Sequence, residues 1–131
     1  MHEIEKNRLH NARKKSSRAR AGIVAESEKT LEARLRKEVE ALGGKALKLM
    51  SQLHRGLPDR LVLMPGGLAF FVELKSTGKK PTGLQTHCHD QLRQMGFEVY
   101  VVDSTESLEK AVALINRAVI ARRIMKEELG I

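Results

Sequence analysis

The chain has 131 residues, with 24 Lys and Arg against 16 Asp and Glu, a formal net charge of +8 and a pI of about 9.9. This length accommodates one domain with a modest core and an extension, and excludes a second enzyme module. The positive excess favours a polyanionic partner, nucleic acid or an anionic membrane surface.

Residues 1–26 form a basic N-terminal arm. It carries Lys6, Arg8, Arg13, Lys14, Lys15, Arg18 and Arg20, with almost no apolar periodicity, and reads either as a solvated extension or as a phosphate-binding arm. From Ser27 the pattern changes. Leu31, Leu35, Val39 and Leu42 recur at helical spacing and predict a helix over 28–42, stopped by Gly43-Gly44. Lys45–Met50 reads as a short strand, followed by the polar loop Ser51–Gly56. Leu61–Met64, the turn Pro65-Gly66-Gly67 and Leu68–Leu74 read as a β-hairpin whose two strands look buried on both faces. A Gly, Lys and Pro loop over 76–82 leads to a helix over 83–95, ended by Gly96. Phe97–Val102 is a further strand, and Ser104–Glu128 reads as one long helix or two. The order α β β β α β α predicts an α/β sandwich with a mixed central sheet flanked by helices.

No apolar run approaches the roughly 18 residues needed to span a bilayer, and no basic start precedes an apolar centre at the N-terminus. No membrane partner is expected, and the predicted location is cytoplasmic. Cys88 is the single cysteine, which excludes an internal disulfide and a cysteine-based zinc knuckle. Phe70, Phe71, Phe97 and Tyr100 are too few aromatics for a base-stacking platform, so if nucleic acid is the partner, contact should run mainly through phosphates.

Chemistry concentrates where charged residues interrupt apolar strands. Glu73 and Lys75 end an otherwise apolar strand and, two apart, share a face, while Leu74 points into the opposite layer. Asp59 follows Pro58. With the hairpin centred on Gly66, position 59 falls opposite position 73, which puts the two carboxylates ~5–8 Å apart. Carboxylates that close repel unless a cation or a proton lies between them, and an oxygen-only site points to Mg²⁺ or Mn²⁺. On the first helix Glu28 falls about 25° from the centre of the apolar stripe, against about 65° for Glu32, so Glu28 is the third candidate carboxylate and Glu32 its substitute. Phosphodiester hydrolysis uses such a set: Asp59 and Glu73 hold the metal, Glu28 supports it, and Lys75 positions the attacking water and stabilises charge.

Gly56-Leu57-Pro58-Asp59-Arg60, then Glu73-Leu74-Lys75, with Gln85 after a Gly and Lys loop, resembles the PD-(D/E)xK nuclease superfamily. Within it the chain looks most like the VRR-Nuc family. The similarity covers residues 27–105 as a nuclease core and leaves 106–131 as a C-terminal helical segment. The resemblance implies a restriction-endonuclease-like fold, Mg²⁺ or Mn²⁺ dependence, a metal contact from the Leu74 backbone carbonyl and a catalytic role for Gln85. It also implies cleavage of branched DNA, at four-way junctions or flaps, by a homodimer. A non-catalytic DNA-binding module and a restriction-type endonuclease are the alternatives.

Other residues carry two readings. His54 and Arg55 suit either phosphate contact or a solvated loop, whereas Lys79 and Lys80, expected beside the metal site, lean toward DNA contact. In Thr86-His87-Cys88-His89 the two histidines lie about 200° apart on a helix and cannot share an ion. Cys88, in a stripe with Leu84, Leu92 and Met95, is expected in the core.

Overall fold

The computed structural model describes residues 25–50 and 54–131. The basic arm, apart from Ala25 and Glu26, therefore lies outside the described residues.

Helix α1 (Glu28–Ala41) starts at Ser27, whose hydroxyl accepts the Thr30 N–H at 3.1 Å and so satisfies one of the free donors of the first turn. Leu31, Leu35 and Val39 lie on one face and are fully buried, each contributing roughly 1.5–3 kcal/mol. The helix ends at Gly43, which has a φ of +86°. Gly44 is required by crowding instead: a Cβ there would meet Met64 Sδ and would sit 2.6 Å from the Leu63 carbonyl oxygen.

Strand β1 (Lys45–Lys48) stops two residues short of the expected Met50. Its pairing with β2 (Arg60–Met64) is antiparallel, and one further bond, Leu49 N–H to the Asp59 carbonyl at 2.8 Å, extends the ladder to the residue before β2. β2 and β3 (Leu68–Leu74) form the hairpin about Gly66, in the register Met64↔Leu68 to Arg60↔Val72. Helix α2 (Gly83–Gln94) crosses back to β4 (Glu98–Val102), which runs parallel to β3. Helix α3 (Thr105–Leu129) is a single helix of 25 residues. The sheet order is β1-β2-β3-β4, mixed as expected.

Helices α1 and α3 cover one face of the sheet. Leu31, Leu35, Leu108 and Ile115 there enclose Val62, Phe70, Val72, Leu74 and Val102 in one core. Helix α2 covers part of the other face, anchored by buried Leu92 over β4 and by Arg93, whose Nη2 donates to the Val99 carbonyl at 2.8 Å. The second face of the hairpin is therefore less covered than the sequence suggests: Leu61 is half-buried and Leu63 is 40% exposed. Twelve residues of α2, set toward β4, do not reach across to β2.

Gly44→Ala should destabilise the protein by about 1–3 kcal/mol, because neither the Leu63 backbone nor the buried Met64 can withdraw freely. Gly83→Ala, in open space at the start of α2, should be neutral or slightly stabilising. Urea unfolding of the two variants measures the contrast.

Candidate active site

The backbone of Asp59 is held from three sides. Pro58 before it is fully buried, and the Asp59 carbonyl accepts from Leu49 N–H at 2.8 Å and from Arg60 Nη1 at 3.1 Å. The Asp59 side chain crosses to the neighbouring strand, where Oδ2 accepts the Leu74 N–H at 2.8 Å. The register of the hairpin, continued by one residue beyond Arg60↔Val72, sets position 59 against position 73.

Glu73 is only 1% exposed. Gln85 Nε2 donates to its Oε1 at 3.2 Å, His89 Nε2 lies 3.2 Å from its Oε2, and Lys75 Nζ stands 3.9 Å from Oε1. Burial pushes the Glu73 carboxyl up to about 8. The hydrogen bond and the charge of Asp59 push the same way, Lys75 opposes them, and Glu28 adds a smaller upward push. Two carboxyl groups thus face each other, and Glu73 tends to keep its proton near neutral pH. Burial lowers the pKa of His89, and the charge of Arg93 lowers it further.

On the α1 side, Asp59 and Leu74 line a cleft of about 220 Å³ with Glu28, Glu32, Lys48 and Arg60. Glu28 is exposed at the mouth of this cleft rather than pressed on the sheet, because Leu31 and Leu35 occupy the inward face of α1. Glu32 is engaged elsewhere: its Oε1 meets Arg60 Nη2 at 2.8 Å, and Arg60 is itself buried. Among the described residues no group of three or more His, Cys, Asp and Glu side chains is gathered as a metal centre. The acids in contact are Asp59 and Glu73, with Glu28 farther out.

Lys79 and Lys80 are exposed in the loop after Lys75. That loop is clamped to the start of α1 and the end of β4. Thr77 Oγ1 accepts the Glu26 N–H at 2.9 Å and donates to the Asp103 carbonyl at 2.8 Å, and Thr77 N–H reaches the Glu26 carbonyl at 3.1 Å. His54 and Arg55 are not in the acidic cleft. They border a separate groove of about 270 Å³ beside α2, with Leu57, Leu84, Cys88 and Met95.

Helix α2 departs most from its expected orientation. Cys88 is half-buried rather than in the core, and Leu84 and Met95 are 52% and 65% exposed. The inward side carries Gln85, His89 and Leu92, because the buried carboxylate beneath it requires donors. His89 is thus a site residue that apolar periodicity alone misses. Its signal in the sequence is the i, i+4 spacing from Gln85.

No family model matches the chain. A protein of Acyrthosiphon pisum secondary endosymbiont phage 1, named "Putative nuclease p44", is 44% identical over 79 residues, which is 60% of this chain and 85% of the phage protein. A solved structure described as a VRR_NUC domain superposes with a TM-score of 0.63 at 32% identity, covering 67% of this chain and 97% of that one. The chain belongs to the VRR-Nuc family. The mixed sheet with its flanking helices is the fold of this nuclease family, and no helix of the described residues is long and apolar enough to cross a membrane.

A VRR-Nuc chain with a buried, raised carboxyl should lose stability with rising pH in metal-free buffer. The protonated Glu73 stabilises the fold fully below about pH 4.5, and this contribution is lost as pH rises through about 8. His89 has the opposite sign: its depressed pKa favours the neutral ring, so it contributes fully above pH 6.5 and less as pH falls. Among the described residues the Glu73 slope therefore stands alone from pH 6.5 to 8 in EDTA, at up to about 1.4 kcal/mol per pH unit. Glu73→Gln should flatten it in thermal melts.

Proposed function

We propose that the chain is a Mg²⁺- or Mn²⁺-dependent endonuclease that hydrolyses phosphodiester bonds in branched DNA. The observation that carries this reading is the contact between Asp59, just before β2, and Glu73 on the adjacent strand β3, beside Lys75, in a chain of a nuclease family. The donor set suits the ion. Mg²⁺ keeps much of its water and commonly takes one or two protein carboxylates, and a divalent cation relieves the repulsion from Asp59 that adds to burial in raising Glu73. Asp59 and Glu73 would hold it, with Glu28 at the mouth of the cleft and the Leu74 carbonyl as further oxygen donors.

An ion held there would supply an acidified water as nucleophile and positive charge against the transition state of phosphodiester hydrolysis. The chain's residues do the rest. Asp59, fixed through its backbone and through Leu74 N–H, sets the position of the scissile phosphate relative to the strand ends. Lys75, a short step from Glu73, orients the nucleophile and neutralises developing charge. Gln85 holds the Glu73 carboxylate from the helix side. Exposed Lys79 and Lys80, and Lys48 in the cleft, offer phosphate contacts on either side of the acid pair. A homodimer would supply the two symmetric incisions that a four-way junction requires.

Purified protein incubated with end-labelled four-way junction, 5′ flap and plain duplex should cut a branched substrate in Mg²⁺ or Mn²⁺ and none in EDTA. Lys75→Ala should reduce the rate by ~10²–10³-fold, the usual cost of removing one transition-state contact. DNA binding without cutting in either metal, by wild type and variant alike, would replace this reading with a non-catalytic DNA-binding module.

A further inference from the structure

We infer that His89 is a positioning residue that fixes the second oxygen of the Glu73 carboxylate for metal binding. This rests on the metal site just proposed, and on three observations of α2. Gln85 and His89, four residues apart, lie on the same face of the helix and meet different oxygens of one carboxylate, both at 3.2 Å. Both members of the His89–Glu73 pair are buried, at 2% and 1% side-chain exposure, so water does not stand in for either contact. The Gln85 amide is not free to turn, because its Oε1 accepts the Thr82 N–H at 2.9 Å in the capping box of α2, leaving Nε2 to face Glu73.

The terminal torsion of a glutamate is broad, and a single donor leaves the carboxylate plane able to swing. Donors on both oxygens fix the plane and direct the remaining lone pairs toward Asp59 and the space a cation would take. Outer partners of this kind govern metal affinity without touching the metal. His87, exposed, and Cys88, half-buried, have no comparable place, so the assignment is to His89 alone within Thr86-His87-Cys88-His89. A core shaped for stability alone would carry apolar side chains at both positions 73 and 89, since a buried polar pair is often no more stable than a packed hydrophobic one.

The test is Mn²⁺ binding without DNA, followed by the electron paramagnetic resonance of the free ion, for wild type, His89→Leu, His89→Gln and Glu73→Gln. Circular dichroism and melting in EDTA report folding separately. His89→Leu is expected to keep the fold and to bind Mn²⁺ ~10–100-fold more weakly, as for other outer-sphere partners. His89→Gln, which returns an N–H near the position of Nε2, is expected to recover most of the affinity, and Glu73→Gln to lose it. Wild-type affinity in a folded His89→Leu overturns the proposal. If His89→Leu does not fold, His89→Met takes its place, and failure of both to fold beside a native His89→Gln assigns His89 to folding and also overturns the proposal. Absence of Mn²⁺ binding in the wild type removes the metal site itself, an outcome distinct from a selective effect at His89.

Discussion

A carboxyl group almost completely removed from water, at the end of a central strand and facing a second carboxylate, sets the terms for the surrounding structure. Glu73 cannot be left without donors in such a place. Helix α2 therefore turns Gln85 and His89 inward and leaves Leu84 and Met95 at the surface, an orientation opposed by hydrophobic preference and sustained by polar satisfaction. The strand must also end at that point. Beyond Leu74 the chain leaves the ladder through Lys75, whose N–H still bonds to the Val102 carbonyl at 2.9 Å, so that its ammonium comes close to the buried acid.

The opposite carboxylate is governed by the backbone rather than by burial. Asp59 precedes the first ladder residue of β2, and its place follows from the hairpin register and from the bonds of Leu49 and Arg60 to its carbonyl. Arg60 joins this to α1 through Glu32. One buried guanidinium thus ties the first helix to the strand that carries Asp59, and fixes the edge of the cleft whose mouth is formed by Glu28.

Much of this was legible in the residues. The element order and the mixed sheet followed from periodicity and turn chemistry. Counting outward from Gly66 placed 59 against 73, because a tight hairpin leaves little freedom of register. The orientation of α2 was not legible by the same means. Its apolar residues do define a stripe, but a stripe records where burial would be favourable, not what waits on the sheet beneath. Once Glu73 is known to be buried, Gln85 and His89 become the natural inward pair. The coverage of β2 was misread for a related reason. A run such as Leu61–Met64 is compatible with two covered faces or one, and the length and placement of α2 decide between them. Glu28 lies at the rim because Leu31 and Leu35 take the inward face of α1 and leave it exposed.

The capping box at the start of α2 also has a bearing on how the molecule fluctuates. The Gln85 carbonyl oxygen that satisfies the Thr82 N–H and the Gln85 amide that grips Glu73 belong to one side chain. Fraying of that first turn and loss of the Gln85 contact to Glu73 are therefore a single event. The opening free energy of α2, which amide hydrogen exchange reads residue by residue, becomes the quantity that sets what fraction of molecules holds both oxygens of Glu73 at any instant.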